Sequence, residues 1–203
     1  MAKTPWKSQV LDHILIVDVE STCWEGQPPL GQESEIIEIG LCLLEVASGR
    51  RQGKRNLLVR PEQSTVSAFC TQLTGLTQEH VNGGISFADA CSLLQQEYAS
   101  KECAWASYGD YDRLQFERQC RSQQVSYPFG PTHVNIKALF AMFEALPREV
   151  GMAEALRRLH LPLEGIHHRA AHDSWNIAGL FGELLSRYRS SPLRCNTIVS
   201  MRL

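Results

Sequence analysis

No apolar run in this 203-residue chain approaches the ~20 residues that a membrane helix needs, so no membrane span is expected. The opening MAKTPWKSQV has a little positive charge. It has no apolar h-region and no A-x-A-like cleavage site, so no signal peptide is expected. Seven cysteines (Cys23, Cys42, Cys70, Cys91, Cys103, Cys120 and Cys195) are scattered, odd in number and never spaced as C-x-x-C. That excludes a disulfide frame and a zinc knuckle, and points to free thiols in a reducing cytoplasm. A basic excess is missing too: the formal net charge is −2. Proteins that attract nucleic acid over long range are usually basic. Any polyanionic substrate must therefore be held locally, by metal ions or a few arginines. Repeats, low-complexity tracts and Gly/Ser linkers are also lacking.

What is present reads as one globular domain, with 43% hydrophobic and 21% charged residues. HILIVDV (13–19) is short, apolar and rich in β-branched residues, which predicts a buried strand. A second strand is expected over 36–45 (IIEIGLCLLE). It meets the turn signal ASGRRQGK and returns over about 54–60, a hairpin whose basic tip reads as solvated. FCTQLTGLTQEHV predicts a short helix, a Gly turn and a second helix starting at Thr77. Phe87, Ala90, Cys91, Leu94 and Tyr98 share one helical face. CAWAS (103–107) suits a fourth strand, Tyr111 to Cys120 a helix, and PTHVNI (131–136) a fifth strand. Met152, Ala155, Leu156 and Leu159 form another helical stripe. The broadest apolar helix face runs from Ile177 to Tyr188, and beyond Pro192 the tail reads as loose. Strands first in a hairpin, then alternating with helices, predict an α/β domain with a mixed sheet.

Asp18 and Glu20 are two residues apart on the first strand. The period of two puts both on one face, at the strand's carboxyl end. Two bare carboxylates ~5 Å apart repel by about 3 kcal/mol at an effective dielectric of ~20. One must take up a proton, or a cation must neutralise them, and hard oxygen ligands suit Mg²⁺ or Mn²⁺. A solvent-facing strand end is the plain alternative. Asp110 and Asp112 follow the fourth strand where a helix begins, a place where Asp is often only an N-cap. In HHRAAHDSWNIAGL, Asp173 lies in the opening turns of the last helix, where an acid also complements the helix N-terminus.

VDVEST, the YD of SYGDYDRLQF and the H-x4-D of HRAAHDSWNIA resemble the three motifs of DEDDh 3′–5′ exonucleases, in the RNase T and proofreading epsilon-subunit superfamily. EIIEIG and FCTQLTGLTQEHV resemble in particular the branch that contains the histone-mRNA 3′-end exonuclease. The resemblance covers about residues 12–188. It implies an RNase H-like fold: a central five-stranded mixed sheet, its second strand antiparallel, flanked by helices. Residues 12–190 would be the exonuclease domain, 1–11 an arm and 191–203 a tail. It further implies that Asp18, Glu20, Asp112 and Asp173 hold two divalent cations, Mg²⁺ or Mn²⁺, and that His168 is the general base. Asp112 is preferred to Asp110 because an aromatic, Tyr111, precedes it; Asp110 is left as the helix cap. Phe69 and Tyr111 would flank the terminal base and Ser21 would offer a backbone contact. His172 and Trp175 depart from the family pattern.

The expected partners are single-stranded RNA or DNA 3′ ends, RNA ahead of DNA, with 5′-nucleoside monophosphates as products. Trp24 is a further candidate for substrate contact. Trp105 reads as core, and Phe69 has a core reading too. Arg113 and Arg169 neighbour the motifs, although surface arginines seldom touch phosphate. Two other functions fit parts of the sequence. A zinc hydrolase would use His167, His168, His172 and Asp173, because His at i, i+4 on a helix is a zinc spacing. A non-catalytic RNA-binding or regulatory module would use the same fold, but four clustered acids argue against a retired site.

Overall fold

Strand β1 (His13–Ser21) is buried on both faces from Ile14 to Val17, which is possible only at the centre of a sheet. In the computed structural model, which describes residues 11–190, it lies between β2 (Ile36–Glu45), antiparallel, and β4 (Trp105–Ser107), parallel. Beyond them, β3 (Arg51–Leu58) pairs antiparallel with β2, and β5 (His133–Asn135) pairs parallel with β4. The order β3-β2-β1-β4-β5 makes the expected five-stranded mixed sheet. The proposed tail, and the arm apart from Leu11, lie outside the described residues.

Alternation along β1 sorts the core into two layers. Leu15, Val17 and Val19 pack with α3 (Phe87–Tyr98) and α4 (Tyr111–Gln123). Ile14 and Ile16 pack with α5 (Ile136–Phe143), α6 (Met152–Arg158) and α7 (Ala170–Ser190). Two short helices, α1 (Ala68–Thr74) and α2 (Gln78–Asn82), flank β2 through a small cluster of Ile37, Cys70, Leu76 and Val81. Ser67 and Thr77 cap them, each accepting a backbone N–H. Helix α7 crosses β2 where Gly40 has no side chain; a Cβ there would lie 1.9 Å from the Ala170 carbonyl group. Among the described residues, six cysteines are free thiols and no helix is long and apolar enough to cross a membrane.

Three expectations need correction. Strand β3 starts at Arg51, inside the segment read as a solvated turn. The Arg51 guanidinium is not left in water. It donates to the Trp175 carbonyl (3.0 Å) and to Glu164 (2.8 Å), and lies 4.5 Å from the centre of the Trp175 ring. The fifth strand ends at Asn135, and Ile136 opens α5, a helix the sequence reading lacked. No turn separates them, because the Asn135 side chain itself caps α5 by accepting from the Ala138 N–H.

Candidate active site

The apolar face of β1 that meets α7 ends at Ile16, and its next two positions are Asp18 and Glu20. The first turn of α7 brings a third acid, Asp173, onto the same spot. One carboxylate oxygen from each of the three lies within 4.8 Å of the others. The fourth, Asp112, comes from the first turn of α4. Its Oδ1 accepts the Val19 N–H at 2.9 Å, which ties it to β1 between the other two strand positions. These acids line an open cleft of about 260 Å³ together with Tyr108, Tyr111, Met152, His167 and His168.

Burial works against these groups as anions, and their mutual repulsion adds to it. Burial, then Asp112, Glu20 and Asp173, holds the Asp18 carboxyl well above its usual range. Burial pushes Glu20 up to about 8, with Asp173 and Glu38 adding and Arg169 opposing. Asp112 rises to about 7 through burial, in spite of the Val19 N–H. Asp173 is only 4% exposed, yet its Oδ1 has no hydrogen-bond donor. Hard oxygen donors, anions unstable by themselves and one orphaned carboxylate oxygen form a set that a divalent cation fits.

His168 stands at the edge of this cleft. Its backbone is left-handed (φ 62°), and its N–H donates to Asp173 Oδ2 at 2.8 Å. Burial lowers its imidazole pKa, His167 lowers it further, and Asp173 partly opposes both. The structure thus gathers Asp18, Glu20, Asp112, Asp173, His168 and Tyr111 around one cleft. Ser21 and Phe69 are not among its lining residues. Ser21 is buried, and its carbonyl accepts from Cys70 Sγ. Phe69 is 38% exposed on α1, so it is not a core residue. Trp24 is half-buried and likewise absent from the lining. Trp105 is core, stacked on Phe129 at 4.2 Å. Asp110 holds the N-cap position of α4 without a capping hydrogen bond; it accepts from Arg113 and from Asn135 instead. Arg113 also pairs with Glu117.

Several residues that shape the site escaped the sequence reading. Glu38, fully buried on β2 and in register with Glu20, holds Arg169 through both carboxylate oxygens. It also accepts from the Ala170 N–H at the start of α7 and from Asn56. A signal existed: an acid between Ile37 and Ile39 in a strand buried on both faces requires a partner. Segment 160–169, which carries His168, is fixed by polar contacts. The Glu164 N–H donates to Asn176, whose amide returns a bond to the Glu164 carbonyl. Trp175 Nε1 donates to the Glu164 carboxylate, and His172 Nδ1 accepts the Ile166 N–H. So both departures from the family pattern, His172 and Trp175, fasten this segment. The His168/His172 spacing of the alternative zinc-hydrolase reading is not realised on a helix, because α7 begins at Ala170 and His168 precedes it. His167 takes a place beside Asp173 instead.

The sheet order and its helical layers define an RNase H-like exonuclease fold. The chain belongs to the exonuclease family of RNase T type, whose sequence profile matches residues 15–181. It is 32% identical over 184 residues to 3′-5′ exoribonuclease 1 of Rattus norvegicus, covering 86% of this chain and 53% of that protein. It is 28% identical over 207 residues to ERI1 exoribonuclease 2 of Xenopus laevis, covering 89% of this chain and 29% of that protein. The chain therefore spans about half or less of these relatives. Among solved structures, the nuclease domain of 3′hExo, a DEDDh family member bound to rAMP, superposes with a TM-score of 0.80 at 29% identity. That match covers 89% of this chain and 94% of that one.

Proposed function

We propose that residues 12–190 form a metal-dependent 3′–5′ exonuclease that removes 5′-nucleoside monophosphates from single-stranded or overhanging 3′ ends, RNA ahead of DNA. One observation carries this reading: Asp18, Glu20 and Asp173 converge within 4.8 Å at the end of β1, in a chain of the exonuclease family. The relatives' names, both exoribonucleases, support RNA as substrate.

Asp18, Glu20, Asp112 and Asp173 would hold two divalent cations, Mg²⁺ or Mn²⁺. When bound, the cations supply an acidified water and electrostatic stabilisation of the attacking and leaving oxygens. The protein's own share is placement and proton transfer. His168, its basicity lowered, is neutral near pH 7 and takes the water's proton at a ring nitrogen. Tyr111, 56% exposed at the cleft, offers a ring on which the terminal base stacks; such stacking is worth ~1–3 kcal/mol and tolerates any base. Phe69 is the candidate for the opposite side of that base, with Ser21 contributing backbone. Helix α1 is tied to the exit of β1 by Cys70 Sγ to the Ser21 carbonyl and by Ser67 Oγ to the Cys23 carbonyl.

The test is a time course on 5′-labelled single-stranded RNA and DNA, with Mg²⁺, Mn²⁺ or chelator, beside 3′-phosphate and circular controls. The expected result is a ladder that shortens from a free 3′-hydroxyl, fastest on RNA, only with the cation present. Cleavage of the circle, or no cation-driven trimming by folded protein, overturns the reading.

A further inference from the structure

Phosphodiester hydrolysis leaves one imidazole in the cleft without a task. The His167 ring stacks on His168, centroids 4.0 Å apart and planes 20° apart, and its Nδ1 lies 2.9 Å from Asp173 Oδ2. One donor atom from each of His167, His168 and Asp173 lies within 4.8 Å of the others. The cleft therefore holds two overlapping donor sets. Asp18, Glu20 and Asp173 offer oxygen alone; His167, His168 and Asp173 offer two nitrogens and one oxygen. Asp173 belongs to both.

The two sets suit different cations. Carboxylate oxygens alone favour Mg²⁺ or Mn²⁺, whereas two imidazoles and a carboxylate favour Zn²⁺, with a fourth position left for water. Tetrahedral zinc ligands at ~2.0–2.1 Å stand roughly 3.3 Å from one another. The contact between His167 and Asp173 needs to open only slightly, and rotation of the half-exposed His168 side chain closes the rest. Both histidines are reachable from solvent.

We propose that His167, His168 and Asp173 form an inhibitory zinc site. Its consequence rests on the exonuclease reading: a zinc ion there withdraws the ring nitrogen of His168 and an oxygen of Asp173 from the reaction. Zinc is then an antagonist of magnesium-driven turnover and not a substitute for magnesium. Because divalent zinc binds nitrogen donors far better than magnesium does, low zinc acts against a large excess of magnesium.

The test separates binding from activity. Metal-free protein is titrated with Zn²⁺ by calorimetry, and with Co²⁺ as a visible-absorption probe of a low-coordinate site. His167→Ala removes the donor; His167→Phe removes it while keeping a ring stacked on His168. Wild type is expected to show a zinc site that both variants weaken by at least the ~10–100-fold that even an outer partner of a metal is worth. With Mg²⁺ present, half-inhibition of RNA trimming should need correspondingly more zinc in both variants, each compared with its own zinc-free rate. Equal zinc binding by wild type and variants overturns the site. Altered binding with unchanged zinc inhibition overturns its inhibitory role. If zinc-free protein trims nothing, the exonuclease reading fails, while the calorimetric comparison still decides whether the site exists.

Discussion

The two halves of the cleft are built from different materials. Asp18 and Glu20 project from a strand locked in a hydrogen-bonded ladder, with Val17 and Val19 buried beside them. His168 and Asp173 lie where a segment with exposed Leu163 and Ile166 enters α7. That segment is fastened by charged and amide groups: Glu38 to Arg169, Glu164 to Arg51 and Trp175, Asn176 to Glu164. The strand half is held by many small contributions, so no neighbour is critical. The helix-entry half depends on a few directional contacts, and losing one displaces His168 and Asp173 together.

Changing the strand half itself should have the largest effect. Asp18→Asn is expected to reduce turnover by well over ~100-fold, since even outer partners of a metal are worth ~10–100-fold. It should also raise the melting temperature of metal-free protein, because folding no longer has to bury Asp18 as an anion or protonate it. A fall in that temperature would contradict the electrostatic account. His168→Ala is expected to slow the chemical step ~10²–10⁴-fold, with Mn²⁺ affinity retained by calorimetry. Loss of Mn²⁺ binding would show that the imidazole is a ligand.

Glu38→Ala tests the fastening. Leaving part-exposed Arg169 without its partner and the buried Ala170 N–H without its acceptor should destabilise by ~1–3 kcal/mol, a drop of roughly 5 °C for a domain of this size. A change confined to rate, with an unaltered melt, would mean that the pair does not hold α7. The smallest effect concerns pH. Glu20 at about 8 and Asp112 at about 7 are raised above ordinary carboxyl values near 4. Between pH 4 and 8 the folded state thus binds more protons than the unfolded state, and metal-free stability falls as pH rises. Added Mg²⁺ should raise the melting temperature by more at pH 8 than at pH 6. An equal rise at both would show that the carboxyls are already ionised without it.

The strand half was legible because its signals are local. Apolar β-branched residues followed by D-x-E name both the strand and its acidic end within eight positions, from His13 to Glu20. The helix-entry half was legible only in the spacing of His168 and Asp173. Its two ion pairs join residues more than a hundred positions apart, as Arg51 joins Glu164 and Glu38 joins Arg169. No periodicity announces such pairs. An arginine next to a turn reads as solvated, and Arg51 was read so. Helix α5 was missed for a related reason: its amphipathic IKALFAMF begins at the residue after β5, without the Gly or Pro that marks most boundaries.

Gly40 joins the two halves. With hydrogen in place of a side chain, the backbone of β2 touches that of α7 at Ala170, three residues before Asp173. Any larger residue would wedge helix from strand and carry Asp173 away from Asp18, although every acid kept its identity. The gauge of the acidic cleft is thus set at a position that lines none of it.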